Sequence, residues 1–253
     1  MIAVLRAGWV KVGSLRSSSL LLLVPLAAAL IALWVFAGAI ASADELAAGA
    51  RTSRPLSAMD QLVMPLTQLC AVVFGATLTA GEYVHRTISS TMVASPCRWR
   101  WSVSVAIWAG GLSASVGAVV GAITVIGSAR IADGRTVPGV TGVDVASQVL
   151  WHSAAVAATA VLAVGIALSA RSVAVPVVTA TALIALLPMG ALLVPPPWGD
   201  RLSALTPFAL AGRLADRSDV VAALPPVLAG LILCGYAVVP LVVGVSIVLK
   251  RDI

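Results

Sequence analysis

The chain has 253 residues, of which 60% are hydrophobic and only 10% are charged. A soluble domain carries about 25% charged residues, so this composition excludes a water-exposed globular surface and predicts a protein that lies in a membrane. In hydrocarbon, backbone N–H and C=O groups must be paired within the protein, which leaves helices or closed barrels. The apolar runs are unbroken and approach the roughly 20 residues of a spanning helix, so we predict an all-α membrane protein.

Six apolar runs predict six transmembrane helices, near residues 18–41, 61–80, 102–127, 147–169, 173–194 and 225–249. Each run is long enough to cross about 30 Å of hydrocarbon at about 1.5 Å per residue. Residues 1–253 are therefore predicted to form a single transmembrane domain.

The start of the chain has some features of a secretory signal peptide, including the small residues Ala41-Ser42-Ala43 after an apolar run. That run, from Ser18 to Ala41, exceeds the roughly 7–15 residues usual for such a peptide, so we predict an uncleaved first span. Apolar and basic side chains are interleaved within residues 1–16: Leu5, Arg6, Trp9, Lys11, Val12 and Arg16. This pattern favours an amphipathic interfacial helix over a disordered basic tail.

The distribution of Lys and Arg predicts the orientation of the spans, because an even number of spans places both termini on one side. With both termini inside, the inner segments hold nine Lys and Arg against two Asp and Glu, a net 9 − 2 = +7. The outer segments hold seven against eight, a net 7 − 8 = −1, which completes the overall +6. We therefore predict a multi-pass cell-membrane protein with both termini cytoplasmic. The positive charge then reports orientation and requires no nucleic-acid partner.

Two further patterns bear on architecture. Gly117 and Gly121 in the third span form a small-xxx-small pattern that favours close packing between helices.

The outer segment 195–224 begins with three prolines, which stop a helix, and continues with apolar residues at helical spacing. We predict short outer helices between spans five and six, at or dipping into the interface, and the alternative is a plain surface loop.

The segment between spans two and three carries the most information, and it reads GEYVHRTISSTMVASPCRWR from Gly81 to Arg100. Gly81 and Pro96 bracket a stretch that can form a short cytoplasmic surface helix. In such a helix, apolar anchors are provided by Tyr83, Ile88 and Met92. The residues predicted to face water or a partner are Glu82, His85 and Arg86. Such a helix can transmit motion from a soluble domain to the spans. The alternative is an ordinary interfacial helix held at the headgroups by Arg98, Trp99 and Arg100.

The pattern G-E-Y-x-H-x-T-I, followed by S-P-x-R at residues 95–98, resembles the type-2 ABC exporter permeases. The resemblance covers the whole chain in layout and residues 81–98 in motif. In that family, the loop after the second span contains a coupling helix that docks on the ATPase subunit. The resemblance implies this role here for Glu82, Tyr83, His85, Thr87 and Ile88, with Pro96 and Arg98 at the loop exit. Arg86 and Met92 lie in the same segment, and we predict that they contribute to the coupling as well. Arg86 departs from the glycine that the family usually has before the threonine.

The resemblance also implies what the chain does and what it binds. It would be the permease subunit of an ATP-driven ABC exporter and not an enzyme by itself. Two copies of a separate ABC ATPase would bind ATP and Mg, and a second permease subunit, identical or paralogous, would complete the assembly in the bilayer. The family further implies an amphipathic N-terminal helix and outer re-entrant elements. An apolar path without fixed charge suits a hydrophobic or amphiphilic cargo, such as a drug, antibiotic, peptide or lipid, as in multidrug efflux.

Patterns for other chemistry are missing from the sequence. Neither Lys11 nor Lys250 lies in a G-x-x-x-x-G-K-[ST] motif, which excludes a P-loop. The three cysteines, Cys70, Cys97 and Cys234, lack the spacing of a metal site or a disulfide framework.

The predicted spans hold no charged residue at mid-depth, which disfavours an ion-coupled carrier. Hydroxyls and amides such as Thr67, Gln68 and Ser113 can line a weakly polar path or bond across helices. Sodium can bind to such groups, so an ion-gradient-coupled carrier is an alternative function. A non-transporting membrane scaffold is the other alternative.

Overall fold

The computed structural model describes residues 16–46, 57–84, 87–88, 98–131, 142–215 and 224–250. Within these ranges the regular structure is helical and contains no strand, which confirms the predicted all-α class. The long helices are α1 (Arg16–Leu46), α2 (Ser57–Val84), α3 (Arg98–Ile131) and α4 (Gly142–Ala170). They are followed by α5 (Ala174–Thr181), a π-helical turn (Ala182–Leu186), α6 (Leu187–Ala191), α7 (Trp198–Ser203), α8 (Pro207–Leu214) and α9 (Pro226–Lys250).

Five helical segments are long and apolar enough to cross a membrane: Val63–Val84, Arg98–Ser128, Val145–Ala170, Ala174–Ala191 and Pro226–Lys250. They correspond to predicted spans two to six, and they support the prediction of a membrane protein. The first predicted span lies within α1, whose described apolar part, Leu23–Val35, is shorter than a spanning segment. The predicted amphipathic helix at residues 1–16 lies outside the described residues except for Arg16.

Helix α4 lies at the centre of the bundle and packs against α2, α3, α5, α8 and α9. Alanines with no exposed surface line it: Ala155, Ala160, Ala163 and Ala167. Gly165 of α4 lies so close to α9 that an added Cβ would be 2.5 Å from the Pro240 carbonyl oxygen. In lipid, helices associate mainly through such close van der Waals contact, which small residues permit.

The glycines of the predicted packing pattern face α4. A Cβ on Gly117 would lie 3.0 Å from the Val156 Cβ, and one on Gly121 would lie 3.2 Å from the His152 Cγ. Both distances are shorter than an ordinary carbon–carbon contact of about 3.5–4.0 Å. The absence of side chains at these positions therefore allows α3 to approach α4 closely.

Replacing Gly244 with alanine is expected to destabilise the protein by about 1–2 kcal/mol, because overpacking a tight core has this cost. The added Cβ would lie 2.5 Å from the Gly165 carbonyl oxygen and 3.0 Å from the Leu168 Cβ. Gly235→Ala is the matched control on the same helix, since a Cβ there meets nothing within 4 Å. Thermal unfolding in detergent measures both, and equal unfolding temperatures would contradict the close α4–α9 contact.

The chain between α6 and α9 turns back into the bundle. Thr206 caps α8, and its Oγ1 accepts a hydrogen bond from the Ala209 N–H at 3.3 Å. Leu210 and Ala211 of α8 are buried in one apolar cluster with residues of α2, α4 and α9: Met64, Ala155, Ala158, Ala229 and Leu233. Thus α8 fills the space between three long helices.

A hydrogen bond of Tyr236 shows how far the chain between α6 and α9 extends into the bundle. The Tyr236 hydroxyl donates a hydrogen bond to the Leu205 carbonyl oxygen at 2.8 Å. Tyr236 lies 236 − 226 = 10 residues into α9, which is about 15 Å of helix. The α7–α8 turn therefore lies well inside the bundle, at the end where α9 begins.

Candidate functional site

The predicted coupling residues that the structure describes lie together at one end of the bundle. Helices α2, α4 and α9 end there, and α3 and α5 begin there. We call the described residues 82–84, 87–88 and 98–101 the α2–α3 junction. Four of the predicted site residues, His85, Arg86, Met92 and Pro96, lie outside the described residues.

Glu82 lies in the last turn of α2, and its side chain is buried, with 6% of its surface exposed. The Trp101 Nε1–H donates to the Glu82 Oε1 at 3.4 Å. The Glu82 carbonyl oxygen also accepts a hydrogen bond from the Thr87 N–H at 3.0 Å. Glu82 thus connects the end of α2 to the start of α3 and to the residues that follow α2.

The sequence placed Glu82 on a face directed toward water or a partner, whereas the structure directs the carboxylate into the protein. The physical reason is Trp101, whose indole supplies a donor from the first turn of α3. The sequence pattern does not single out Trp101, although this residue ends the run Arg98-Trp99-Arg100-Trp101. A tryptophan at a helix start has both apolar surface and a donor, and buried tryptophans usually bond through that N–H.

Tyr83 contacts the turn between α4 and α5. The Arg171 guanidinium lies over the Tyr83 ring, 5.5 Å from its centroid, in a cation–π arrangement. Arg171 has a backbone φ of 54°, and its N–H bonds to the Ala167 carbonyl oxygen at 2.9 Å. This left-handed conformation commonly ends helices and favours glycine. An arginine here carries some backbone strain and gains the contact with Tyr83.

Ile88 joins the apolar core beneath the junction. It packs in one buried cluster with residues of four helices: Leu78 of α2, Trp101 of α3, Leu168 of α4 and Val248 of α9. The chain after α2 is therefore held against α2, α3, α4 and α9 together.

The first residues of α3 face in different directions: Arg98 contacts α9, whereas Trp99 and Arg100 are exposed. The Arg98 Nη1 donates to the Val248 carbonyl oxygen at 3.5 Å, and such carbonyls at a helix end lack an intrahelical donor. Trp99 is 44% exposed, and the Arg100 guanidinium lies 5.6 Å from its ring centroid. An exposed aromatic residue beside a cation suits a membrane–water interface.

Among the residues that the structure describes at this end of the bundle, the exposed charges are basic. Arg100, Arg171 and Lys250 are all exposed there, while Glu82 is buried. A basic end is the one expected to face the cytoplasm. It would also attract an acidic surface of a partner protein.

Gln68 and Ser113, both inside the described part of the helix bundle, have side chains without a hydrogen-bond partner in the structure. Gln68 of α2 has 0% exposed surface, and neither its Oε1 nor its Nε2 is bonded. Ser113 of α3 is buried as well, and its Oγ has no partner. Among the described residues, no group of three or more His, Cys, Asp and Glu side chains could hold a metal ion.

No protein-family model matches the chain, and no curated protein matches its sequence. The residues and contacts of the chain itself, above all those of the α2–α3 junction, are therefore what indicates its function.

Proposed function

We propose that this chain is the six-span permease subunit of an ATP-driven exporter of the ABC type. The α2–α3 junction is the observation that carries the proposal. Glu82, Ile88 and Trp101 are buried together where four helices meet. Because packed interiors do not deform continuously, a force applied to residues 82–93 would be transmitted to several spans at once.

In the proposed assembly, α1 is the first of six spans and both termini lie in the cytoplasm. Two permease subunits, identical or paralogous, pair with two ATPase subunits that bind ATP and Mg. The ATPase dimer closes on ATP and displaces residues 82–93, and the spans repack so that cargo moves outward. The basic end formed by Arg100, Arg171 and Lys250 then faces the ATPase.

The interior of the described spans supports a hydrophobic or amphiphilic cargo, such as a drug, antibiotic, peptide or lipid. Away from their ends, the spanning segments carry hydroxyl and amide groups but no Asp, Glu, Lys or Arg among the residues described. A cargo with a fixed charge would meet no opposite charge along these helices, and an isolated charge is costly in such surroundings.

Purification of the intact complex from membranes in mild detergent tests the assignment. We expect an ABC ATPase to co-purify, and we expect nucleotide-dependent transport in vesicles that Glu82→Ala combined with Arg86→Glu abolishes. Absence of an ATPase, with transport driven by an ion gradient alone, would instead identify a carrier. Absence of both an ATPase and transport would favour a membrane scaffold.

The orientation gives a separate prediction. In a variant with Ala at the three native cysteines, a membrane-impermeant maleimide applied to intact cells should label Trp198→Cys and leave Arg100→Cys unlabelled. Both side chains are exposed, and they lie at opposite ends of the bundle. Permeabilised cells provide the control, because both positions should then react. Labelling of Arg100→Cys in intact cells would place the α2–α3 junction outside and exclude a cytoplasmic ATPase there.

A further inference from the structure

The turn at residues 171–173 joins the central helix of the bundle to a helix near its surface. Of an 18-residue stretch in the spanning segment of α4, 61% is buried within the protein, whereas only 22% of Ala174–Ala191 is buried. Displacing the start of α5 therefore breaks fewer protein contacts than displacing α4, and segments with few buried contacts move at the lowest cost in free energy. A force that reaches this turn would move α5 before α4.

Arg171 gives the turn an unusual backbone conformation. Its φ of 54° is the one positive φ of a non-glycine residue in the part of the chain that the structure describes. Glycine adopts this conformation without strain, and strained residues are concentrated at functional sites. The Ala174 N–H donates to the Ser172 Oγ at 3.2 Å, which connects the turn to the first residue of α5. The backbone thus favours glycine at position 171, so the arginine side chain needs a separate explanation.

The contact of Arg171 with Tyr83 supplies that explanation. Three cation–π contacts occur among the described residues, and two of them join close neighbours in sequence, Arg100 with Trp99 and Arg201 with Trp198. Arg171 and Tyr83 are instead 171 − 83 = 88 positions apart, and the guanidinium lies 5.5 Å from the ring centroid. Neighbours on one helix meet whatever the tertiary structure, whereas this contact exists only because the α4–α5 turn lies against the end of α2.

We propose that Arg171 is a positioning residue of the transport cycle, which connects Tyr83 to the start of α5 so that displacement of residues 82–93 moves the cytoplasmic part of span five. The inference rests on the proposed export function and adds to it the element that moves. That element is α5 itself, because the π-helical turn at Ala182–Leu186 follows it, and helices commonly bend at such turns.

The test compares ATP-driven transport with ATP hydrolysis in the purified permease–ATPase complex reconstituted in vesicles. Arg171→Gly should lower the amount of cargo moved per ATP hydrolysed by about two- to five-fold, the factor that corresponds to an exposed cation–π contact. The Tm should change by less than about 2 °C, because glycine relieves the backbone while the contact is lost. A purely structural role would instead lower the Tm together with transport, and that result would overturn the proposal. An unchanged transport ratio would overturn it too.

A double-mutant cycle separates the contact from the charge of Arg171. Tyr83→Leu removes the ring, and the variant that carries both changes should transport no less per ATP than the more impaired single variant, because both changes break the same contact. If Arg171 acted only by attracting the ATPase, the two reductions would multiply, and the proposal would be wrong. Arg201→Ala is the matched control, since it removes another exposed cation–π contact, 5.2 Å from the Trp198 centroid at the opposite end, and should leave the ratio unchanged.

The unmodified complex keeps this inference distinguishable from the proposed function. If the unmodified complex showed no ATP-driven transport, the export function itself would be contradicted, and the role of Arg171 with it. If the unmodified complex transported cargo and Arg171→Gly transported as much per ATP, only the role of Arg171 would be contradicted.

Discussion

Replacing Gln68 with methionine is expected to stabilise the protein by about 2–3 kcal/mol. The Gln68 amide has no exposed surface, and neither its oxygen nor its nitrogen has a partner. An unsatisfied buried polar group costs about 1–3 kcal/mol, and the cost is greatest where the local dielectric is low. Methionine has a similar length, flexibility and volume but no strong polar atom, so it removes this cost with little change in packing.

Thermal unfolding in nanodiscs measures the effect, with Gln148→Met as the control. Gln148 lies near the start of α4 and is partly exposed, so its replacement should change stability little. Residues that are poor for stability are often retained where function needs them, and we expect the more stable Gln68→Met variant to transport cargo more slowly. Lower stability would show that the Gln68 amide is satisfied in the membrane.

Replacing Trp101 with phenylalanine is expected to destabilise the protein by about 3 kcal/mol. Phenylalanine keeps most of the buried aromatic surface but cannot donate to Glu82, and removing one donor from a buried carboxylate is costly. The Trp101 Nε1–H lies 3.4 Å from the Glu82 Oε1, and both side chains are buried. Thermal unfolding measures the loss.

Trp99→Phe is the matched control for Trp101→Phe, because Trp99 lies two residues earlier on α3 and is exposed. Its replacement should cost less than about 0.5 kcal/mol, as surface changes usually do. The proposed function adds a second readout, since Trp101→Phe should also weaken the dependence of transport on ATP hydrolysis while Trp99→Phe should not. Equal effects of the two substitutions on stability would contradict the buried Glu82–Trp101 contact.

The helices were predictable from sequence because the bilayer imposes a simple rule on composition. A run of about 20 apolar residues must be helical where no water can pair with its backbone. The predicted runs near 61–80, 102–127 and 225–249 correspond to α2, α3 and α9, with ends that agree within several residues. The exact residues at which these helices begin and end depend on polar and glycine residues at their ends, and a hydropathy pattern does not resolve them.

The fifth predicted span is helical but irregular, and its irregularity has a local cause. A π-helical turn at Ala182–Leu186 separates α5 from α6. Pro188 has no N–H for the Ile184 carbonyl, four residues earlier in that turn. A π-helical turn, which contains an extra residue, commonly occurs where the hydrogen bonds of an α-helix are interrupted in this way. The proline was visible in the sequence, whereas the way in which the helix adjusts depends on its packing.

The candidate site was only partly predictable, because its members are distant in sequence. The motif pointed to Glu82, Tyr83 and Ile88. Trp101 is separated from Glu82 by 19 positions, and Arg171 contacts Tyr83 from another helix end. Contacts of this kind depend on how helices pack, and single-sequence patterns do not specify helix packing.

If the chain is the proposed permease, the position of α8 restricts the route by which cargo could leave it. Leu210 and Ala211 are buried among residues of α2, α4 and α9, and the Tyr236–Leu205 hydrogen bond holds the preceding turn to α9. In the described part of that end, α8 therefore occupies the space between these three helices. For a permease, the exit route would then run along the lipid-facing side of the bundle or along a seam between two subunits.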